Sequence, residues 1–395
     1  MAKIFIFLLM AFSLVNFRIS FLSLSDLLLS AGLLSTILFK KDLVIPSDGL
    51  FIFSIFITLY IFSGFFSGGG NSASTIIFFG FLYKYFFIFG LYLLVQNVEF
   101  SVVELNKTIL FCWMAILLWT LYYVLIVTSD SSLSTSLSQL SFPGTNTLAN
   151  PSNDSHLFAY ISGGLGLYLF LYLQNMFKYF IGLATLFIIL VTGSRNPLAL
   201  YIILFCLFFA LGSKKQLFYL VLSVLCGAGI LIFNFEAIDN FLPSTRSFNF
   251  NFYEDSSANN RIAKLMIAIK EFLSGSMILG QSVFNSKILW ADGIHTILII
   301  HFGFFGLFFY LSMLTYFLAR LFFRSMNPDN AREKRLLFFS CYVLFGLFIT
   351  EFVLTSRGAV LALIPLFYLI KDWRVNTRLN LYSSQSFSFH SIETR

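Results

Sequence analysis

Two arginines stand where apolar stretches of this chain begin, and their surroundings are alike. Arg195 lies in "TGSRNPLALYIILF" and Arg357 lies in "TSRGAVLALIPLF". Placing an arginine in hydrocarbon costs about 2.5–3.5 kcal/mol on insertion scales, so neither position is neutral. A guanidinium beside the free N–H groups of a helix start suits a phosphate or pyrophosphate, which it can bind through paired hydrogen bonds. The alternative is an interfacial arginine whose side chain extends to lipid headgroups.

The residues that follow each arginine predict how the helices begin. Asn196 fits the N-cap position and Pro197 fits the first helical position, where a missing N–H costs nothing. This arrangement holds Arg195 beside the positive end of a helix. Gly358 allows a similarly close approach of the backbone beside Arg357.

A second group of candidates lies where a polar stretch enters an apolar one, in "ADGIHTILIIHFGFFGLFFYL". Asp292 and His295 are three residues apart and share a face if this segment is helical. The carboxylate can orient the imidazole and stabilise its charged form, so the pair suits a general base. His301, deeper in the same stretch, is interpreted as a hydrogen-bonded packing residue. Gly303 and Gly306 predict close approach of neighbouring helices.

Other ionisable residues are weaker candidates for chemistry. Asp154 and His156 form a similar pair before another apolar stretch, where structural capping is the favoured interpretation. Lys84 lies in the middle of an apolar stretch and must face the protein interior or a cavity. Glu351 can pair with Arg357 or serve as an alternative base.

The stretch "NNRIAKLMIAIKEFLSGSMILG" has the pattern of an amphipathic helix. Its apolar residues recur at helical spacing and its basic residues take the other side, which is typical of a helix that lies on a membrane surface. Arg261 and Lys264 are predicted to bind substrate, and the alternative is a surface-anchored helix with solvated charges. The apolar positions are Ile262, Leu265, Met266, Ile269 and Phe272.

Membrane helices must position these residues. The chain of 395 residues is 58% hydrophobic and 11% charged, whereas soluble domains carry roughly 25% charged residues. Runs of about 17–25 apolar residues predict about twelve spans in a single all-α transmembrane domain, 1–395, whose first span is interpreted as a retained helix. The spans lie near 4–23, 25–39, 49–66, 74–95, 107–128, 156–174, 177–193, 196–212, 215–235, 294–323, 335–353 and 356–371.

Basic residues in short connectors predict the orientation, because they favour the cytoplasmic side. With the N-terminus inside, the inner segments hold 16 of the 25 basic residues. The outer loop 129–155 and the large periplasmic loop 236–293, with its amphipathic helix, then face outwards together with Arg195 and Arg357. The inner residues are Lys3, Lys40, Lys41, Lys107, Lys178, Lys214, Lys215, Arg320, Arg324, Arg332, Lys334, Arg335, Lys371, Arg374, Arg378 and Arg395.

Several classes of function are excluded by what the sequence lacks. It has no H-E-x-x-H, no Walker loop, no G-x-S-x-G and no D-x-D motif of the kind that holds a metal-bound nucleotide sugar. No metal or other cofactor is expected, and the four cysteines are interpreted as small packed hydrophobes. Nucleic acid is excluded as a partner because the basic residues lie in short connectors rather than in a patch. A phosphate-bearing lipid substrate reached from the outer side fits the residues that remain.

The order of these motifs resembles that of the O-antigen polymerase and O-antigen ligase superfamily. The resemblance covers roughly residues 192–311, through "TGSR", "NNRI", "GQS" and "DGIHTILIIHFGFFGLFFYL", with weaker support from "TEFVLTSRG". It implies a metal-independent, inverting glycosyltransferase with a GT-C-like helical fold, in the bacterial inner membrane with its active site on the periplasmic face. The donor would be an oligosaccharide on undecaprenyl pyrophosphate, and the acceptor the non-reducing end of another lipid-linked repeat unit. Membrane lipid and a chain-length regulator protein are further candidate partners.

Two alternatives stay open beside this interpretation. Ligases of the superfamily, which transfer the glycan to lipid A core, typically carry a His-Asn pair in the last motif, whereas here Thr296 follows His295. The difference favours a Wzy-type polymerase and leaves open whether His295 or Asp292 is the base. A polysaccharide flippase is the alternative from another class, since Lys84 is intramembrane. The other polar residues cluster at one face, which favours the enzyme.

Overall fold

The computed structural model consists of helices, together with one short antiparallel strand pair. It describes residues 2–14, 18–19, 22–40, 43–66, 72–122, 124, 155–173, 176–192, 194–210, 262–267, 269–270, 273, 280, 294–326, 331–349 and 356–390. Eleven helices in these ranges are numbered in chain order: α1 (Ala2–Phe12), α2 (Leu24–Phe39), α3 (Ser47–Phe66), α4 (Ser72–Asn97), α5 (Val102–Tyr122), α6 (Ser155–Tyr172), α7 (Phe177–Val191), α8 (Arg195–Ala210), α9 (Ile294–Ser325), α10 (Ala331–Ile349) and α11 (Ser356–His390).

Several helices have the length and composition of membrane spans. Within the described ranges three are long and apolar enough to cross a bilayer, namely Thr75–Asn97, Val102–Tyr122 and Ile297–Ser325. Further apolar helices are shorter, and large apolar side chains are exposed along many of them. These are the features of a helical membrane protein, because lipid replaces water as the solvent of the exposed apolar surface.

The first predicted span, 4–23, is wrong in its length. Helix α1 ends at Phe12, and the chain then forms strands β1 (Arg18–Ile19) and β2 (Leu22–Ser23), which pair in antiparallel fashion. Ser13 marks the end of the helix, since its hydroxyl donates to the Leu9 carbonyl at 2.6 Å and lies 2.9 Å from the hydroxyl of Ser25. The predicted span 215–235 lies outside the described residues.

Helix α6 is the centre of the bundle. It packs against α5, α7, α8, α10 and α11, and every residue from 157 to 171 is buried. The sequence "SGGLG" allows this density, because small residues let helices approach closely. A Cβ at Gly166 would overlap the Thr185 side chain of α7, and one at Gly163 would overlap the Tyr342 hydroxyl of α10. Trp113 on α5 donates to Thr185 at 2.9 Å, which ties a third helix to this contact.

Adding a methyl group at Gly166 is expected to destabilise the protein. Gly166→Ala must displace Thr185 and its hydrogen bond from Trp113, and overpacking of this kind costs about 1–3 kcal/mol. Gly80→Ala is the matched control, because a Cβ at Gly80 has no described atom within 4 Å. Thermal unfolding in detergent, followed by tryptophan fluorescence, measures both variants. Equal melting temperatures for the two would contradict the tight contact between α6 and α7.

Basic side chains from distant parts of the chain meet at one end of the bundle. Ser101 and Glu104 form a capping box at the start of α5, with backbone-to-side-chain distances of 2.8 and 3.2 Å. Lys3 of α1 pairs with Glu104 at 3.1 Å. Lys40 and Lys371 donate to carbonyls at the end of α4 at 2.8–3.1 Å, where cations favour the helix dipole. The structure thus brings together several residues of the predicted inner set, at what we call the basic end.

Candidate functional site

The contacts made by the first turn of α10 show in which direction three other helices run. Arg332 pairs with Asp372 of α11, Lys334 lies over a ring near the end of α8, and Arg335 lies over a ring at the end of α6. Helices α6, α8 and α11 therefore all run antiparallel to α10, and their N-termini lie together at the end of the bundle opposite the basic end. Residues 156, 195 and 357 are at these N-termini.

One hydrogen bond joins two of these helix starts. The hydroxyl of Ser194 lies 2.7 Å from Nδ1 of His156, so the residue before α8 is tied to the first turn of α6. Ser194 is buried whereas His156 is exposed. The Ser194 N–H also approaches the Thr192 hydroxyl at 3.3 Å, and that hydroxyl donates to the Ile189 carbonyl at 2.6 Å. The turn that carries Arg195 is thus held on both sides.

The predicted cap of α8 is wrong by two residues. The helix begins at Arg195, and its first bond runs from the Leu198 N–H to the Ser194 carbonyl at 3.4 Å, so Ser194 rather than Asn196 is the N-cap. Pro197 is the third helical residue instead of the first. A serine cap ordinarily accepts a bond from the N–H of the second or third helical residue, and proline has none at the third. The Ser194 hydroxyl bonds to His156 instead.

The two arginines predicted to bind pyrophosphate begin helices at the same end. Arg195 is the first residue of α8, and Arg357 is the second residue of α11. Helices α8 and α11 both pack against α6 and α10, so the two arginine-bearing helices share the same two supporting helices. The positions of the guanidinium groups themselves lie outside the described side chains.

The other predicted site residues are described less completely. His295 is the second residue of α9, and its side chain lies outside the description. Lys264 is half-buried in a helical segment, 262–267, whose residues Ile262 and Met266 are exposed, as a helix on a lipid surface would have them. The remaining candidates, Asp154, Arg261, Asp292 and Glu351, lie outside the described residues.

Helix α9 is broken at Gly303, which was predicted only to aid helix packing. Its φ of 60° and ψ of −154° leave the helical region, in a conformation that essentially only glycine adopts. Gly280, with a φ of 76°, packs on the same break, and a Cβ there would lie 2.7 Å from the Gly303 nitrogen. Gly280 belongs to the predicted large periplasmic loop, 236–293, so part of that loop reaches the level of the break. A glycine in an apolar run does not by itself predict a break, because helices tolerate it.

His301 lies beside the break and is packed as predicted, but not fully hydrogen-bonded. It is 4% exposed, and its ring contacts Tyr60 and Phe81 at centroid distances of 5.7 and 4.8 Å. Its Nδ1 has no hydrogen-bond partner in the part of the chain that the structure describes. Lys84 lies over Phe81 at 4.8 Å and interacts electrostatically with His301. The sequence singled out Lys84 and His301 separately, and the structure brings them together at the contact between α3, α4 and α9.

The site at the helix starts can stabilise an anion and orient an imidazole next to it. No three His, Cys, Asp or Glu side chains gather as metal ligands within the described ranges. Protein-family models gave no match to the chain, and a search of curated proteins also found no match.

Proposed function

We propose that the protein polymerises lipid-linked polysaccharide repeat units of the O-antigen or capsule type. It transfers the growing glycan from undecaprenyl pyrophosphate to the non-reducing end of another lipid-linked unit. The observation that carries this proposal is the common end of α6, α8 and α11, where Arg195 and Arg357 lie in the first turns of α8 and α11 and a His156–Ser194 bond supports the start of α8. A pyrophosphate bound there meets two helix N-termini as well as two guanidinium groups.

The architecture that goes with this function has about twelve spans and a GT-C-like fold. The chain lies in the bacterial inner membrane, with loops 129–155 and 236–293 on the periplasmic side. Support for this orientation comes from the basic end, where Lys3, Lys40 and Lys371 lie at the opposite end from Arg195 and Arg357.

The reaction is a single displacement at the anomeric carbon of the donor. A base removes the proton of the acceptor hydroxyl, the hydroxyl oxygen forms a bond to the anomeric carbon, and the bond from that carbon to the pyrophosphate oxygen breaks. The leaving undecaprenyl pyrophosphate takes up the negative charge. Preorganised cations and N–H groups stabilise charge that develops in a transition state, which is the role of Arg195 and Arg357. His295 or Asp292 is the base, and Arg261 and Lys264 bind the acceptor.

Helix α6 gives this site a rigid support. Its buried length carries the His156 that holds Ser194, and both arginine-bearing helices pack on it. Groups placed by a densely packed helix keep their orientation during the reaction, which supports preorganisation. The polyprenyl tail of the donor must remain in lipid, so the donor enters sideways between helices.

Purified protein in liposomes, supplied with lipid-linked repeat units, is expected to form a ladder of polymers and to release undecaprenyl pyrophosphate. A chelator is expected to leave the rate unchanged, because no step uses a metal. Electrophoresis of the glycan and chromatography of the lipid measure the two products. With lipid A core supplied in a parallel reaction, a single repeat unit joined to that core, without a ladder, would identify a ligase instead. Loss of the ladder with the chelator would contradict the proposed chemistry.

One observation favours a flippase as the second candidate. The break at Gly303 puts non-helical backbone inside the apolar helix α9, next to His301 of the same helix and Lys84 of α4, as in many transporters. The same liposomes separate the two functions. Movement of a fluorescent lipid-linked glycan between leaflets, without any ladder, would favour the flippase.

A further inference from the structure

Three glycines, rather than one, make the break in α9 possible. Gly303 supplies the left-handed backbone, with a φ of 60°. A Cβ at Gly306 would overlap the Cβ of Phe302, four residues before it. A Cβ at Gly280 would lie 2.5 Å from the carbonyl oxygen of Ile300. Both close approaches occur at the break, and both require a residue without a side chain.

The approach of Phe302 to Gly306 belongs to the broken form of the helix alone. In a regular helix the Cβ atoms of residues four apart are about 5–6 Å from each other, so a continuous α9 has room for a side chain at position 306. Where there is such room, glycine is less favourable in a helix than alanine. Gly306 therefore serves the break. Gly303 itself can adopt helical backbone angles as readily, so the same residues permit both a broken and a continuous α9.

The broken form leaves two buried polar atoms unsatisfied. Nδ1 of His301 and the hydroxyl of Tyr85 are both buried, and neither has a hydrogen-bond partner among the residues that the structure describes. Both rings contact Tyr60, at centroid distances of 5.7 Å for His301 and 5.4 Å for Tyr85. Such atoms are rare in folded proteins, because each has given up its bonds to water without gaining a replacement. A conformation in which His301 leaves this contact removes that cost.

Two contacts hold the first half of α9, residues 294–302, in its present position. One is the packing of four apolar side chains against Tyr60 of α3 and Phe81 of α4. The other is the packing of Gly280, from the predicted large periplasmic loop, on the backbone of the break. The position of this loop residue and the shape of α9 are therefore linked. The four side chains are those of Ile297, Leu298, Ile300 and Phe302.

We propose that α9 is a two-state element that switches between this broken form and a continuous helix, with Gly303 as the hinge and Gly280 as the latch. In the continuous form Gly280 leaves the break, the first half of α9 turns, and His301 leaves its contact with Tyr60. Hinges are a few residues, often small ones, that absorb a large change in φ and ψ. His295 lies in the first half of α9, so the switch also changes the direction of the start of this helix. The switch is independent of the proposed glycosyl transfer.

The distance between spin labels on the two halves of α9, measured by pulsed electron paramagnetic resonance, tests the switch. The labels are attached at Thr296→Cys and Tyr316→Cys in the full-length protein, with its four native cysteines replaced by alanine. Tyr316 is 67% exposed, so a label there has space. Positions 296 and 316 are about 30 Å apart along a continuous helix, at about 1.5 Å per residue. The broken form gives a shorter distance, because a bend brings the two ends together, and this form is expected to predominate in the otherwise unchanged protein.

Gly306→Ala and Gly280→Ala are each expected to shift the distances towards the longer value. Each adds a methyl group that the continuous form can accommodate and the broken form cannot. Overpacking of this kind is expected to lower the ratio of broken to continuous form about 5- to 150-fold. Gly80→Ala is the matched control, because a Cβ at this position of α4 has no described atom within 4 Å. It is expected to leave the distances unchanged.

Three results would overturn the switch. The shorter distance alone, in both folded variants, would show that the break is fixed. A shift of the same size in Gly80→Ala would show a general effect of an added methyl group. Failure of both Gly306→Ala and Gly280→Ala to fold, measured by gel filtration, would show that the protein has no continuous form to occupy. If only one of the two variants folds, its distances decide by the same criterion.

Discussion

Replacing Arg195 with lysine is expected to reduce polymer formation about 10- to 100-fold, while the protein still reaches the membrane. Lysine keeps the charge but lacks the planar fork that binds two phosphate oxygens at once. Losing a hydrogen bond to a charged group costs about 1.5–3 kcal/mol, and each 1.4 kcal/mol in the barrier is a factor of ten in rate. Initial rates of polymerisation in liposomes, normalised to the amount of inserted protein, measure the effect. Arg357→Lys is expected to act in the same direction, since both residues lie in the first turn of a helix at this end.

Arg320→Lys is the matched control for both variants. Its guanidinium lies over Trp373, beside the basic end, and makes no part of the proposed site. It is expected to polymerise at the rate of the wild type. Normal polymer ladders from Arg195→Lys would show that Arg195 only contacts lipid headgroups, which was the alternative interpretation from the sequence.

The helices follow apolar runs closely because length and hydropathy depend only on the local sequence. The predicted spans 156–174 and 177–193 correspond to α6, Ser155–Tyr172, and α7, Phe177–Val191. Which of them is central does not follow from apolarity, since lipid and a protein core favour the same side chains. The "SGGLG" of α6 was the available signal, because only small residues permit its contacts with Thr185 and Tyr342.

The sequence predicted on which side of the membrane the candidate site residues lie, but not the contacts between them. Basic connectors and alternating spans predicted that Arg195 and Arg357 lie on the same side of the membrane. The directions of α8 and α11 agree, since both residues lie at the same end of the helix bundle. The His156–Ser194 bond joins residues that are far apart in sequence and depends on how α6 packs against α8. Pro197, which lacks the N–H that a serine cap ordinarily uses at the third helical position, was visible in the sequence. That the Ser194 hydroxyl bonds to His156 instead depends on the neighbouring helix α6. The break at Gly303 likewise depends on Gly280 packing against it.

His295→Ala is expected to reduce glycosyl transfer about 10²- to 10⁴-fold, the usual contribution of a general base. Asp292→Asn is expected to retain part of the rate, because an asparagine can still orient the imidazole through a hydrogen bond. Transfer between purified lipid-linked units, with and without a chelator, measures both variants.

His390→Ala is the matched histidine control. Helix α11 has 35 residues, so at about 1.5 Å per residue position 390 lies roughly 50 Å along that helix from Arg357.

Which of the two variants, His295→Ala or Asp292→Asn, loses more of the transfer rate identifies the base. His295 is the second residue of α9, and the first half of this helix, up to the break at Gly303, is packed against α3 and α4. In the proposed reaction, a base on this packed helix meets an acceptor that the large periplasmic loop brings towards it. If Asp292 acts directly, Asp292→Asn loses the larger factor and His295→Ala keeps part of the rate. Near-normal rates in both variants would exclude the pair and transfer the role to Glu351, Asp154 or His156. Of these His156 is the best placed, because its hydrogen bond to Ser194 already holds it beside the first residue of α8.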